Sequence, residues 1–194
     1  MIFSRFVFVT LSLAIAPVVW SADARDIFSA HCADCHGADA RGTPGVPDLT
    51  DARWQYGGAN ADIQRTITYG RVSVMPALGM PLGDAGLEQV VAYVQSLASD
   101  DESESQAHGT GRELFAMYCA SCHGADGSGT QALGAPDLSD AVWLYGGDAA
   151  SIRDVVLNGR SNAMPAYAGV LSVEDIQALV RLLANFEKMQ GDIL

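Results

Sequence analysis

Cys32-Ala33-Asp34-Cys35-His36 returns as Cys119-Ala120-Ser121-Cys122-His123, each copy followed by Gly-Ala, and the two pentapeptides hold all four cysteines of the 194-residue chain. C-x-x-C-H is the sequence to which c-type haem is attached. Two thiols three residues apart on one helical turn each add to a vinyl group, and the next side chain directs its imidazole at the iron. One short segment thereby anchors the macrocycle and supplies an axial ligand. Other chemistries also use paired cysteines. Structural zinc needs four ligands converging on one ion, and here each pair would have to reach across most of a domain. A thioredoxin-type redox pair follows a strand in a βαβ unit, whereas both pairs here close helix-like segments. A chance repeat of the whole pentapeptide is the weakest alternative. Two covalent haems account for every cysteine.

The repetition extends far beyond the cysteines. An offset of 87 residues at Cys32 and Cys119 becomes 89 between Pro47-Asp48-Leu49 and Pro136-Asp137-Leu138, which places a two-residue insertion near Gly127-Ser128-Gly129. From there the register holds through Trp54-Gln55-Tyr56-Gly57-Gly58 and Trp143-Leu144-Tyr145-Gly146-Gly147, Gly70-Arg71 and Gly159-Arg160, and Met75-Pro76-Ala77 and Met164-Pro165-Ala166. This is a tandem duplication. It divides the chain into a leader at 1–24, a first domain at 25–98, an acidic linker at 99–109 and a second domain at 110–194. The linker is polar and without hydrophobic periodicity, so it reads as solvated chain, and His108 within it as an exposed side chain. His31 likewise has no counterpart in the second copy.

The N-terminus carries one basic residue, Arg5, an uncharged apolar run from Phe6 to Trp20, and then Ser21-Ala22-Asp23-Ala24. That is the pattern of a secretory signal peptide with cleavage after Ala24. At 15 residues the run is shorter than the ~20 needed to span hydrocarbon. Export to the periplasm is the expectation, with membrane contact only through a retained leader or a membrane-bound partner. Removing residues 1–24 deletes Arg5 and Asp23, leaving 10 basic and 22 acidic side chains and the same net charge of −12. Such a surface repels nucleic acid and anionic membranes and favours a redox partner with a basic docking surface.

The helical signal is strongest at the end of each copy. Leu87, Val90, Val91, Val94 and Leu97 recur at helical spacing, and Ile176, Leu179, Val180, Leu183 and Phe186 repeat that stripe 89 residues later. Ser172 followed by Asp175 reads as a helix cap, with Asp84 in the corresponding role in the first copy. Shorter helices are expected at 25–33, 62–69, 111–120 and 149–157, and no alternating strand pattern stands out. The fold class is therefore all-α: two small helical bundles, each around one haem. At roughly 75 to 85 residues, each domain is of a size at which a protein core alone is marginal, and the haem completes it.

An iron held by one histidine needs a distal partner, and thioether sulfur stabilises the ferrous form. Met75 and Met164 follow His36 and His123 by 39 and 41 residues, the difference matching the insertion. Each precedes Pro-Ala, which stiffens a loop. The reading pairs each methionine with the histidine of its own copy. Met80, also followed by proline but opposite Gly169, ranks second in the first domain. Any methionine can instead fill core space.

The run C-x-x-C-H-G-A, P-D-L, W-x-Y-G-G, G-R, M-P-A resembles tandem class I cytochrome c domains, and it is similar to the dihaem subunit of cbb3-type haem–copper oxidases. That subunit carries transmembrane helices. In having only a leader, this chain is closer in architecture to soluble dihaem carriers such as cytochrome c4. The resemblance implies two covalent haem c groups and electron transfer rather than catalysis. A periplasmic carrier is the main reading, a subunit of a larger oxidase or dehydrogenase the alternative, and a dihaem redox enzyme the remoter one. It further implies that the carbonyls of Pro47 and Pro136 orient His36 and His123, although turn prolines occur for their own sake. Trp54, Tyr56, Trp143 and Tyr145 would lie along the haem edge or reach propionates, unless they serve only as core aromatics. Arg71 and Arg160 would neutralise propionates or stay in solvent. Gly37 and Gly124 would let the backbone pass close to the porphyrin or leave the helix.

Overall fold

A computed structural model of the chain describes residues 23–98 and 109–191. The leader up to residue 22 and the linker with His108 lie outside the described residues. The order in the first copy is α1 (Ala24–His31), α2 (Ala33–His36), α3 (Asn60–Tyr69), β1 (Arg71–Met75) and α4 (Gly79–Ser96). The second copy repeats it as α5 (Gly109–Tyr118), α6 (Ala120–His123), α7 (Ala149–Asn158), β2 (Arg160–Met164) and α8 (Val173–Gly191). The structure is thus mostly helical, with the four expected short helices and the two long ones in place.

Local chemistry accounts for several boundaries. Asp23 caps α1, its carboxylate accepting from the Arg25 amide at 2.9 Å, and Asp148 caps α7 by accepting from Ala150 and Ser151, both at 3.0 Å. The one-turn helices that carry the histidines end at Gly37 and Gly124, both at φ 80°, where a side chain would be strained. Ser172 and Asp175 form a reciprocal cap at the start of α8, with Asp175 N donating to Ser172 Oγ at 3.1 Å and Ser172 N to Asp175 Oδ2 at 3.3 Å. Asp84 does not repeat that role. The chain bends at Gly83 (φ 63°), within α4, and the Asp84 carboxylate is 98% exposed and faces Arg153 at 3.5 Å.

The expectation of no strands is corrected. Arg71–Met75 pairs antiparallel with Arg160–Met164, so that Arg71 stands opposite Met164, Ser73 opposite Asn162 and Met75 opposite Arg160. Along each strand exposed and half-buried positions alternate. Five residues with one such pairing are too short a run to be distinguished from a loop by pattern alone.

This ribbon changes how the copies are assembled. Leaving β1, Leu78 N donates to the Val156 carbonyl of α7 at 2.9 Å, and a Cβ on Gly79 would run into Leu157. Leaving β2, Tyr167 N donates to the Ile67 carbonyl of α3 at 3.0 Å. These are equivalent bonds, and each carries the chain onto the other copy. The apolar stripe of α4, with Leu87, Val90, Val91 and Val94, is therefore buried against Phe115, Ile152 and Val156 of α5 and α7. That of α8, with Ile176, Leu179, Val180 and Leu183, is buried against Ile27, Phe28, Ile63 and Ile67 of α1 and α3. Burying one such side chain contributes about 1.5–3 kcal/mol, so each stripe is a major stabilising element. The chain does form two helical units, but the boundaries 25–98 and 110–194 mark sequence copies rather than packing units, because the final helices are exchanged.

Candidate functional site

Each C-x-x-C-H segment opens onto an apolar cleft. Cys32, Cys35 and His36 line the first, and Cys119, Cys122 and His123 the second. His36 and His123 are buried at 9% and 7% exposure. Their Nδ1 atoms hydrogen-bond the carbonyls of Pro47 at 3.1 Å and Pro136 at 3.0 Å. Burial lowers the pKa of both imidazoles, with the carbonyl bond opposing it. A neutral ring donating its Nδ1 proton keeps the Nε2 lone pair for a metal, the tautomer an axial ligand requires.

The thiols do not resemble a redox pair. Burial, and then the neighbouring Cys122, push Cys119 up to about 11, and Cys32 is raised by burial and then by Cys35. A nucleophilic C-x-x-C pair has a depressed pKa instead. Among the described residues no group of three or more His, Cys, Asp or Glu is placed to hold a metal ion.

The methionines require a correction. Met164 lines the cleft of His36, and Met75 lines the cleft of His123. The pairing of each methionine with its own copy, inferred from the 39- and 41-residue spacings, is not what the fold presents. Because β1 and β2 run antiparallel, Met75 emerges at the Arg160 end of its partner and Met164 at the Arg71 end. A Cβ on Gly70 would strike the Met164 carbonyl and one on Gly159 that of Met75, so these glycines (φ 69°) let each strand end fold against the other copy. Met80 is 98% exposed and lines neither cleft.

The remaining expected residues are gathered as the motifs suggest. Pro47, Trp54, Tyr56 and Arg71 line the first cleft, and Pro136, Trp143, Tyr145 and Arg160 the second. The Arg71 guanidinium lies 4.7 Å over the Tyr56 ring and that of Arg160 5.0 Å over Tyr145. His31 is exposed; its carbonyl accepts from the Tyr167 hydroxyl at 2.7 Å. Gln55, Ser73, Leu144 and Asn162 border both clefts at once, which sequence reasoning did not anticipate. The sequence signal at these positions is that both counterpart pairs, Gln55 with Leu144 and Ser73 with Asn162, differ between otherwise matching motifs.

Haem fits these clefts. Each offers apolar walls for a flat ring, two thiols and an imidazole on adjoining turns, a thioether from the other copy, and cationic and hydroxyl donors suited to acid side groups. The Tyr56 hydroxyl is buried without a hydrogen-bond partner, as expected if it serves a group bound in the cleft.

Residues 21–94 and 106–183 each match the family described as cytochrome C oxidase, cbb3-type, subunit III. The chain belongs to that family. As a cbb3-family cytochrome it is a dihaem c-type protein with two tandem cytochrome c domains and covalently attached haem c. It is 42% identical over 166 residues to the cbb3-type cytochrome c oxidase subunit FixP of Azorhizobium caulinodans, covering 81% of this chain and 57% of that one. It is 44% identical over 154 residues to the subunit CcoP of Rubrivivax gelatinosus, covering 79% and 50%, and 37% identical over 164 residues to CcoP of Cereibacter sphaeroides, covering 79% and 56%. The chain spans about half the length of these curated relatives. Their names favour the oxidase-subunit alternative over the free carrier that the leader suggested. Among the described residues of this cbb3-family cytochrome, no helix is long and apolar enough to cross a membrane.

Proposed function

We propose that this chain is the electron-transfer subunit of a cbb3-type oxidase complex. It works on the periplasmic side and relays single electrons toward the membrane-bound partner through two haems. Cys32 and Cys35 would anchor the first haem, with His36 and Met164 placed to hold its iron; Cys119 and Cys122 would anchor the second, with His123 and Met75 placed to hold its iron. Bound haem supplies one-electron Fe(III)/Fe(II) chemistry, and thioether ligation favours the ferrous form. The protein's part is to hold the imidazoles through Pro47 and Pro136, to exclude water with the α4 and α8 stripes, and to close both axial positions so that no substrate site is left. The reading rests on one observation: each cleft joins the histidine of one copy to the methionine of the other. The net charge of −12 supports a partner with a basic docking surface and disfavours nucleic acid.

Two experiments test this. In a Cys32→Ala/Cys35→Ala background only the second haem remains. There, Met75→Ala should remove the sulfur-to-iron charge-transfer band and open the iron to carbon monoxide, while Met164→Ala should leave both properties unchanged. The reverse pattern would restore pairing within each copy. Stoichiometric co-purification of the full chain with oxidase from the native membrane is expected, and elution as a stable monomer free of oxidase would overturn the subunit assignment.

A further inference from the structure

Each cleft meets solvent at its second cysteine, since Cys35 and Cys122 are exposed while His36 and His123 are buried. Electron exchange weakens with distance, so the surface around this mouth decides which partner each cleft serves. The two copies give their mouths opposite chemistry. Asp34, exposed between the cysteines of the first copy, and His31 and Arg53, which line its cleft, are all charged or readily protonated. The matching positions of the second copy hold Ser121, Tyr118 and Val142. Apolar side chains are added there as well. Leu133 at 55% exposure and Val142 at 44% line the second cleft, and Met117, in the last turn of α5, is 70% exposed where the first copy has Ala30.

Leu133 owes its place to the two inserted residues. Gly42 N and Gly129 N donate to the His36 and His123 carbonyls at 2.7 Å, so the copies are still in step at that point. Two residues then lie between Thr43 and its bridge partner Val46, whereas four lie between Thr130 and Ala135. The insertion is therefore in the turn after Thr130, past the Gly127-Ser128-Gly129 stretch where sequence alignment put it, and it brings Leu133 to the rim of the second cleft. An uncharged rim on a chain of net charge −12 gives a basic partner nothing to pair with at the mouth. Apolar contact surface depleted of charge is the mark of interfaces that stay assembled.

We propose that the rim formed by Met117, Leu133 and Val142 is the face by which the chain seats on a membrane-bound oxidase subunit, presenting the second cleft to it. The inference rests on the subunit reading above and adds which end of the molecule is committed to the complex. The first mouth stays open, with the Asp34 carboxylate in solvent, and suits a soluble basic donor that docks and leaves. Electrons then enter through the first cleft and leave through the second.

Rebinding of the full dihaem chain to detergent-solubilised oxidase, prepared from cells that lack the chain, tests the proposal. Leu133→Asp and Met117→Asp should each weaken rebinding by about tenfold, because each strands a carboxylate in an apolar contact. Ser121→Asp installs the side chain that the first copy already carries in the same turn, so the fold accommodates it, and it should weaken rebinding likewise. The reverse exchange, Asp34→Ser, should leave rebinding unchanged and slow reduction of the assembled complex by a basic soluble cytochrome c at low salt, by about threefold. Unchanged rebinding in Leu133→Asp and Ser121→Asp, with both sulfur-to-iron bands intact, would overturn the proposal and leave the subunit assignment standing. Weakened rebinding in Asp34→Ser alone would move the seat to the first mouth. A chain that dimerises without oxidase and loses the dimer in Leu133→Asp would give the rim to a second copy and overturn the proposal. Failure of the unmodified chain to rebind would reject the subunit assignment itself, and this inference with it.

Discussion

The two exchanged cores solve one packing problem with different tightness. Where α4 crosses α5, Gly111 faces the α4 backbone so closely that a Cβ there would strike the Gln89 carbonyl, and Phe115 and Val90 are sealed at 1% and 0% exposure. Tyr93 and Phe115 add an edge-to-face pair at 5.3 Å. Where α8 crosses α1, the position matching Gly111 is Ala24 at the helix start, the counterpart of Tyr93 is Leu182, and Phe28 meets Phe186 instead, edge-to-face at 6.3 Å. A duplicated sequence thus supports two versions of one interface, of which the version built around the first copy's last helix is the closer-packed.

The largest expected effect comes from removing the second haem. In Cys119→Ala/Cys122→Ala the core built by α4, α5 and α7 loses its central apolar group, and a protein core of this size is marginal alone. Because α4 belongs to the first copy and leads directly from β1, the damage should pass through the ribbon to the remaining unit. Calorimetry should show loss of one cooperative transition and a lower melting temperature for the surviving haem. A surviving transition identical to that of the parent would mean that the two cores are independent, and the comparison would lose its force.

The exchange itself was not legible in the sequence, and the reason is physical. Leu87, Val90 and Val91 form a stripe that complements Phe115 and Ile152 or, equally, Phe28 and Ile63, because the two copies offer matching grooves. Periodicity identifies an apolar face and says nothing about which of two equivalent partners receives it. The C-x-x-C-H turns, their proline partners, the terminal stripes and the Ser172 cap were legible, since each is specified by neighbours in the chain. Met75 and Met164 were picked out as candidate ligands, and the structure places each in the cleft of the other copy, because their direction depends on a five-residue ribbon that pairs the copies. The borders shared by both clefts, at Ser73 and Asn162, exist only after that pairing.

Glycine substitutions probe the difference in tightness with a change of sign. Alanine is favoured over glycine inside a helix by about 1 kcal/mol, so propensity alone predicts that Gly111→Ala stabilises the protein. The Gln89 carbonyl is backbone and has no room to yield, and overpacking of this kind costs about 1–3 kcal/mol, which should make the net effect destabilising. Gly86→Ala is the control. Its Cβ would come no closer than 3.4 Å to the Leu114 Cδ1 methyl and 3.6 Å to Leu82 Cβ, so this variant should be neutral or slightly more stable in denaturant unfolding. Equal stability changes at the two sites would show that the α4–α5 crossing is looser than the geometry implies.

Ribbon strain should come next. Gly159 sits at φ 69° with the Met75 carbonyl where a side chain would begin, and Gly70 repeats the arrangement against Met164. Holding alanine in the left-handed region costs on the order of 1–3 kcal/mol. Beyond that loss, Gly159→Ala should push Met75 away from the second cleft and weaken the charge-transfer band of that haem. Gly70→Ala should do the same at the first. A band lost instead at the haem of the other copy, the first for Gly159→Ala and the second for Gly70→Ala, would mean that each methionine serves the histidine of its own copy and would overturn the exchanged geometry.

The smallest contrast lies at the starts of the two long helices. Ser172 and Asp175 exchange hydrogen bonds across the first turn of α8, and losing a cap of this kind typically costs about 1 kcal/mol. Asp84, the acid expected to cap the first copy's long helix, is ion-paired with Arg153 at the surface, and Glu88 already meets the same guanidinium at 2.8 Å. Ser172→Ala should therefore lower the denaturation midpoint, and Asp84→Ala should leave it within measurement error. If the two substitutions shifted the midpoint equally, Asp84 would have to cap α4 in solution, and the bend at Gly83 would no longer explain why the first copy dispenses with a cap.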